Sequence, residues 1–279
     1  MIDIQSLTFR YDGAEKNALD DVTMTVRDGE FLGIIGPAGA GKTTLVSSMS
    51  GIVPHASGGD FYGAVTVDGL DTVDSRLTDI SRIVGTVFQD TESQIISSVV
   101  EDEMLYGLEN FGVPRGEIED RLAFALDEVG IAALRHREIS SLSGGQRQKV
   151  AIASLIALRP KILVLDEPTG ELDPSSSRQI FTLLRTLNRE YGMTVVVVEQ
   201  KIMLLCEFAE RLAVLSEGRV VRDGTVREVL SDIEGLRAIG VNCPRSALFS
   251  TLLAEKTGRD IPVCVNVDEA EREARRVIG

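Results

Sequence analysis

The chain has 279 residues, 43% hydrophobic and 26% charged, ordinary proportions for one medium globular domain with a small appendage. A formal net charge of −14 argues against a nucleic-acid binder, which carries a basic face. The acidity is read as a solvated surface or as a docking surface for a basic partner.

In chain order, Leu7–Tyr11 reads as a strand, and Val22, Met24 and Val26 alternate with polar neighbours in the manner of a half-buried one. Phe31–Gly36 is apolar and runs into a glycine-rich loop, after which Lys42–Met49 can form a helix. Ala64–Val67, closed by an Asp68-Gly69 turn, and Arg82–Phe88 are further strands. From Gln89 the pattern changes: Ile118, Leu122, Leu126 and Val129 recur at helical spacing, and helical character continues through Ala151–Ala157. Residues 90–159 therefore read as a mainly helical insertion. Strands return at Ile162–Leu165 and Thr194–Val198 around a helix from Ser175 to Glu190, the signature of a parallel sheet covered on both faces. A hairpin, Leu212–Leu215 and Arg219–Arg222 around Glu217-Gly218, follows. Beyond Leu230, two helical pieces are expected at Ser246–Lys256 and Asp268–Val277, the second opened by a capping box from Asp268 to Glu271.

Cys206, Cys243 and Cys264 lie far apart without a Cys-x-x-Cys or Cys/His spacing, so neither disulfide nor zinc site is expected, and a reducing cytosol is the natural compartment. The N-terminus lacks the basic and apolar regions of a signal peptide, and no uncharged apolar run approaches the roughly 18 residues that span a bilayer.

The chemistry gathers in three motifs. Gly36-Pro37-Ala38-Gly39-Ala40-Gly41-Lys42-Thr43 matches GxxxxGK[ST] in full, between a strand and a helix. Glycine backbone amides can curl around phosphates, Lys42 supplies charge, the Thr43 hydroxyl can ligate Mg²⁺, and Thr44 is grouped with the same ATP-binding loop. Ile162–Leu165 ends in Asp166, placed for the Mg²⁺ shell, and Glu167, placed to polarise an attacking water. Leu142-Ser143-Gly144-Gly145-Gln146, before a helix expected near Arg147, offers a second anion-binding surface of hydroxyl, glycines and helix N-terminus. It is far along the chain from the first loop, so a head-to-tail dimer, each chain closing over the other's ATP, is the economical arrangement.

With these motifs the chain resembles the ATP-binding cassette family over about residues 1–230. The resemblance implies an ATPase of the P-loop NTPase α/β class: a RecA-like parallel-sheet core, an antiparallel β subdomain and a helical subdomain, here with a small C-terminal helical extension. It places the ATPase domain at 1–235 and a dimerisation segment at 236–279. Tyr11, which alone reads as a core aromatic, takes the place of the aromatic that stacks on adenine. Gln89 takes that of the glutamine that senses Mg²⁺ and touches the membrane partner, and Asp173, in Gly170-Glu171-Leu172-Asp173, that of the dimer-interface loop.

Val87–Gln94 and Glu101–Asn110 are similar to the ATPase subunits of energy-coupling-factor importers of vitamins and of cobalt or nickel ions, in which a short helix, here carrying Gln94, lines a groove for basic coupling helices. Asp90, Glu92, Glu101, Asp102 and Glu103 would make that groove acidic. The implied partners are a second cassette ATPase, an integral-membrane coupling subunit and a substrate-binding membrane subunit, with no nucleic acid. The implied location is the cytoplasmic face of the cell membrane. A soluble cassette ATPase of an assembly machinery, of the iron–sulfur scaffold type, is the rival reading and needs neither the acidic segment nor the tail.

One departure from the family stands out. After Val195–Val198 the family usually has a histidine that contacts the γ-phosphate; here the stretch is Glu199-Gln200-Lys201. Gln200 can donate one amide hydrogen bond but carries no charge. His55 and His136 lie elsewhere and read as surface residues. The expectation is that this chain's own site binds ATP and hydrolyses it slowly, and that its partner is a paralogue rather than a copy of itself.

Overall fold

The computed structural model describes residues 1–278. Among the described residues ten strands form two sheets. The smaller is antiparallel, in the order β2 (Leu19–Val26), β1 (Ile2–Tyr11), β4 (Gly59–Val67), β5 (Leu70–Asp71). The larger runs β10 (Arg219–Thr225), β9 (Arg211–Ser216), β3 (Phe31–Ile35), β8 (Thr194–Val198), β7 (Ile162–Asp166), β6 (Val84–Val87), parallel except for the β9–β10 hairpin.

Strands β7 and β8 are buried along their length, and apolar but for Asp166 and Thr194, because both faces are covered. Ile162, Val164, Val196 and Val198 face a core shared with the antiparallel sheet and with α1 (Lys42–Met49). Leu163, Leu165, Val195 and Val197 face a second core built with the helices. Burying one such side chain contributes about 1.5–3 kcal/mol. Gly33 of β3 is required by close approach: a Cβ there would come within 2.6 Å of Leu212 and 2.7 Å of Leu205.

Two short helices follow α1 before β6, α2 (Ile52–His55) and α3 (Leu77–Ile80). Between β6 and β7 come a 3-10 turn (Glu92–Gln94) and α4 (Val100–Asn110), α5 (Arg115–Val129) and α6 (Gly144–Ala157). α7 (Pro174–Tyr191) has every terminal signal in its sequence: an Asp173 N-cap, proline in the first turn and Gly192 left-handed at the C-cap. α8 (Ile202–Phe208) connects β8 to β9.

After β10 the chain forms α9 (Val226–Leu230), α10 (Ile233–Ala238), α11 (Arg245–Thr257) and α12 (Val267–Ile278). Val226, Val229, Leu230, Ile233, Leu236, Val241 and Ala247 all enter the helical core, so this region packs on the main body of the chain.

Several sequence expectations need correction. β1 begins at Ile2, not Leu7, because the register shifts between Ile4 and Leu7, where Ser6 has φ +46°, and the shift reverses the phase of the buried alternation. α6 starts at Gly144 rather than near Arg147: Ser143 is its N-cap, and Ser143 and Gln146 form a reciprocal capping box. Gly144 and Gly145 are thus the first helical turn rather than a flexible loop. α12 is capped by Asn266, whose Oδ1 accepts from the Glu269 amide at 2.9 Å, not by an Asp268–Glu271 box.

Candidate functional site

The strand order β6-β7-β8-β3 decides the site. Parallel strands end on one edge of the sheet, and the segments leaving them become neighbours there, where open α/β sheets hold their ligands. The loop after β3 carries Gly36–Gly41, that after β6 carries Gln89, the end of β7 carries Asp166 and the loop after it Glu167, and the loop after β8 carries Gln200.

The glycine loop is held tightly to its surroundings. Gly41 has φ +98°, and a Cβ there would meet the Ala18 carbonyl at 2.3 Å. Lys42 is buried, and its Nζ donates to the carbonyls of Gly36 and Pro37, each at 2.9 Å. Burial pulls its pKa below the usual lysine range, against the opposing influence of Glu167 and Asp166. The first amides of α1 have no acceptor within the helix and, with the helix dipole, favour an anion there. Thr44 is buried, with its hydroxyl 3.0 Å from that of Tyr11; the Tyr11 ring meets Phe9 edge-on at 4.8 Å.

Asp166 is buried at the end of β7, and its Oδ1 has no hydrogen-bond partner among the described residues. Burial pushes its carboxyl above the usual carboxylate range; the Thr43 hydroxyl and Lys42 pull the other way, while Glu167 adds to the rise. An orphaned buried carboxylate oxygen beside a threonine hydroxyl fits a hard cation that takes oxygen ligands, such as Mg²⁺.

Glu167 has φ +50°, an uncommon conformation for a residue with a side chain. Its carboxylate lies between two amides: Gln200 Nε2 donates to Oε1 at 2.7 Å, and Gln89 Nε2 donates to Oε2 at 3.4 Å. Residues 78 and 33 positions away in sequence thus meet on one carboxylate. The arrangement can hold a general base in a fixed orientation.

Glu167, Gln89 and Gln200 border a cleft of about 770 Å³ that also meets Gly144 and Leu172. The phosphate loop, at Gly36–Ala38, borders a separate cavity of about 130 Å³ shared with Gln200 and with Gly240–Asn242 of the C-terminal region. Ser143 Oγ accepts from the Gln146 amide at 3.3 Å, and Gln146 Oε1 accepts from the Ser143 amide at 2.9 Å. Capping uses a lone pair of the hydroxyl and leaves its hydrogen to donate outward. Asp173 caps α7, accepting from the Ser175 amide at 2.9 Å and the Ser176 hydroxyl at 2.5 Å.

The acidic segment after Gln89 is less available than its sequence suggests. Glu103 is buried and accepts from the amides of Ile96 (2.9 Å) and Ser97 (2.7 Å), so it organises the backbone. Glu101 is paired with Arg135 at 2.6 Å and His136 at 2.9 Å. Gln94 holds the end of β6, donating to the Thr86 carbonyl and accepting from the Phe88 amide. The Glu92 side chain lies outside the described residues. Asp90 and Asp102 remain exposed, together with apolar Ile96 and Tyr106.

Sequence reasoning missed two neighbours of the site, Glu199 and Lys201. Glu199 is buried, with Oε1 accepting from the Thr169 hydroxyl at 2.6 Å; burial pushes its carboxyl up, opposed by that bond and by Lys201. The available signal was three polar residues directly after the apolar run Val195–Val198.

The ABC transporter family profile matches residues 19–170. An ABC transporter ATP-binding protein of Pyrococcus horikoshii is 40% identical over 244 residues, 88% of this chain and 86% of its own length. A relative from Methanosarcina acetivorans, 39% identical, matches 88% of this chain, which spans only 38% of that protein. Among solved structures, cbiO1 of Clostridium perfringens, part of the ABC transporter complex cbiONQ, aligns with TM-score 0.75 and 31% identity over 88% of this chain and 96% of its own. The ATP-binding cassette MJ0796, in a dimeric post-hydrolysis state with ADP and Pi, aligns with TM-score 0.71 and 29% identity over 81% of this chain and 99% of its own.

Proposed function

The chain belongs to the ABC transporter family and is an ATP-binding ATPase of that family, and we propose that it is the ATPase subunit of an importer of the energy-coupling-factor kind, which takes up a vitamin or a transition-metal ion. The observation that carries the importer reading is the likeness to cbiO1, a component of cbiONQ, which extends over 88% of the chain against 81% for MJ0796. Among the described residues no helix is long and apolar enough to cross a membrane; in this reading coupling runs through separate membrane subunits. Asp90, Asp102, Ile96 and Tyr106 supply an acidic and apolar surface for a basic amphipathic helix of such a subunit, at the cytoplasmic face of the membrane.

In this reading Lys42 exchanges the carbonyls of Gly36 and Pro37 for phosphate oxygens, joined by the amides of Gly39–Thr44, and Tyr11 stacks on the base. Thr43, Asp166 and Gln89 would hold Mg²⁺, which neutralises charge on the phosphates when bound. Glu167, oriented by Gln200 and Gln89, accepts a proton from the attacking water. Ser143–Gln146 at the α6 N-terminus closes the site of a second ATPase, with Asp173 at the interface. Residues 1–235 form the ATPase unit, and 236–279 a dimerisation segment that offers exposed Phe249, Leu252 and Val267.

A paralogous partner is favoured because the Ser143 surface is intact while the chain's own site has neutral Gln200. The Methanosarcina relative, of which this chain spans 38%, is long enough to hold two such units. The test is purification of the tagged chain from detergent-solubilised membranes. A membrane protein and a second ATPase should accompany it, and reversing Asp90 and Asp102 together should release the membrane protein while ATP binding persists. In the assembled complex, Glu167→Gln should slow turnover mildly and the matching change in the partner nearly abolish it. Recovery of the chain alone, or with soluble assembly factors, would return it to the scaffold reading.

A further inference from the structure

Lys201 follows Gln200 and precedes α8, and the catalytic reading above leaves it without a role. Its Nζ donates to the carbonyl of Leu172 at 2.8 Å, to Ser177 Oγ at 3.0 Å and to the carbonyl of Thr169. An ammonium has three N–H donors. All three are engaged by acceptors of the segment after β7, so Lys201 cannot replace the missing histidine as a phosphate ligand without abandoning them.

Its two predecessors hold the same segment. Glu199 takes the Thr169 hydroxyl at 2.6 Å, and Gln200 holds Glu167 at 2.7 Å. Three consecutive residues leaving β8 therefore grip a stretch whose own backbone bonds are two turns, Gly170 N to the Glu167 carbonyl at 3.1 Å and Leu172 N to the Thr169 carbonyl at 3.1 Å. At the far end, the Leu172 side chain lies near the glycines that open α6, where a Cβ added at Gly145 would stand 3.8 Å from Leu172 Cδ2.

We propose that Lys201 is a positioning residue that fixes residues 168–172 as a rigid bridge between the ends of β7 and β8, and through them the orientation of Glu167. The catalytic consequence rests on the reading of Glu167 as the base above; the bridge itself is a property of the single chain. Lys201 also supplies the positive charge beside Glu199, whose Oε2 is buried with no hydrogen-bond partner among the described residues.

Amide hydrogen exchange on the full chain tests the bridge directly. Lys201→Met should speed exchange at Gly170 and Leu172 by about tenfold or more, while amides of β7 and β8 keep their protection. Affinity for a fluorescent ATP analogue should stay within about twofold, and kcat at this chain's own site, read with the partner's matching glutamate changed to Gln, should fall about tenfold with KM nearly constant, the split expected when orientation rather than binding is lost. Lys201→Arg, which keeps charge and donors, should recover most of both losses, and Lys201→Gln replaces the Met variant should that one fail to fold. Unchanged exchange at Gly170 and Leu172 would overturn the bridge, and a tenfold loss of nucleotide affinity would make Lys201 a phosphate ligand instead. The role of Glu167 is read separately, from Glu167→Gln in the same partner-silenced assay: if that change spares turnover, the reading of Glu167 as the base fails, and the exchange result alone decides the bridge.

Discussion

Replacing Gln200 separates the two tasks its amide can perform. At present it donates to Glu167 Oε1 at 2.7 Å, the shorter of the two amide contacts on that carboxylate. A hydrogen bond to a charged group contributes about 1.5–3 kcal/mol, and because Gln200 is exposed the lower end applies, about tenfold in rate if the bond only orients Glu167. Loss of a donor to the transition state costs about 2.7–4 kcal/mol, or 10²–10³ in kcat. Gln200→Ala, read at this chain's own site with the partner's matching glutamate changed to Gln, is therefore expected to lower kcat about tenfold if Gln200 serves Glu167 alone, and beyond about 10² if it also serves the γ-phosphate. KM for ATP should move little in either case. Gln200→His supplies a donor that can carry charge and should raise kcat, more strongly as pH falls toward the ordinary histidine pKa of about 6.5. Steady-state phosphate release at several pH values measures all three proteins. A Gln200→Ala enzyme as fast as the parent, or a Gln200→His enzyme no faster, would refute the reasoning.

Two further outcomes follow from the same geometry. Lys42→Ala should weaken binding of a fluorescent ATP analogue by about tenfold or more without lowering the melting temperature, since the lost contacts are to loop carbonyls that solvent can satisfy. Glu101, held below the usual glutamate value of 4.5 chiefly by its hydrogen bond to Arg135, contributes stability that is complete above that value and is lost as pH falls through its lowered one. Arg135→Met should thus cost about 1 kcal/mol at pH 7 by denaturant unfolding, and the difference from the parent should close under strongly acidic conditions.

What was legible in the sequence was contiguous. Gly36–Thr43 places its phosphate-binding atoms within one turn of chain, and Ile162–Glu167 delivers two carboxylates from one apolar strand, so residue order alone specifies their geometry. The meeting of Gln89, Glu167 and Gln200 needed the sheet order, because β6, β7 and β8 are adjacent in space but separated by helices in sequence. The acidic segment misled for a related reason: Glu103 reads as a surface charge until Ile96 and Ser97 are found to donate their amides to it. β1 was shortened because a bulge breaks the alternation on which strand reading depends. α9 and α10 were not read because five and six residues are too few to show a helical period.

Taken together, the charges around the site bear on why a second subunit is needed. Asp166, Glu167 and Glu199 cluster at the ends of β7 and β8, the first and last with carboxyls raised by burial. Lys201, the cation nearest Glu199 in sequence, has its donors occupied by Thr169, Leu172 and Ser177, and Gln200 is neutral. On the phosphate-loop side, positive potential comes from Lys42, itself partly desolvated, and from the amides opening α1. A triphosphate adds several negative charges to this setting, so its terminal group is incompletely neutralised by one chain even with Mg²⁺ bound. The α6 N-terminus, with its first-turn amides and the free hydrogen of Ser143, is the complementary charge that a second subunit would bring. ATP binding and subunit closure are then linked by mass action: whatever fixes the α6 turn in one chain strengthens the nucleotide site of the other.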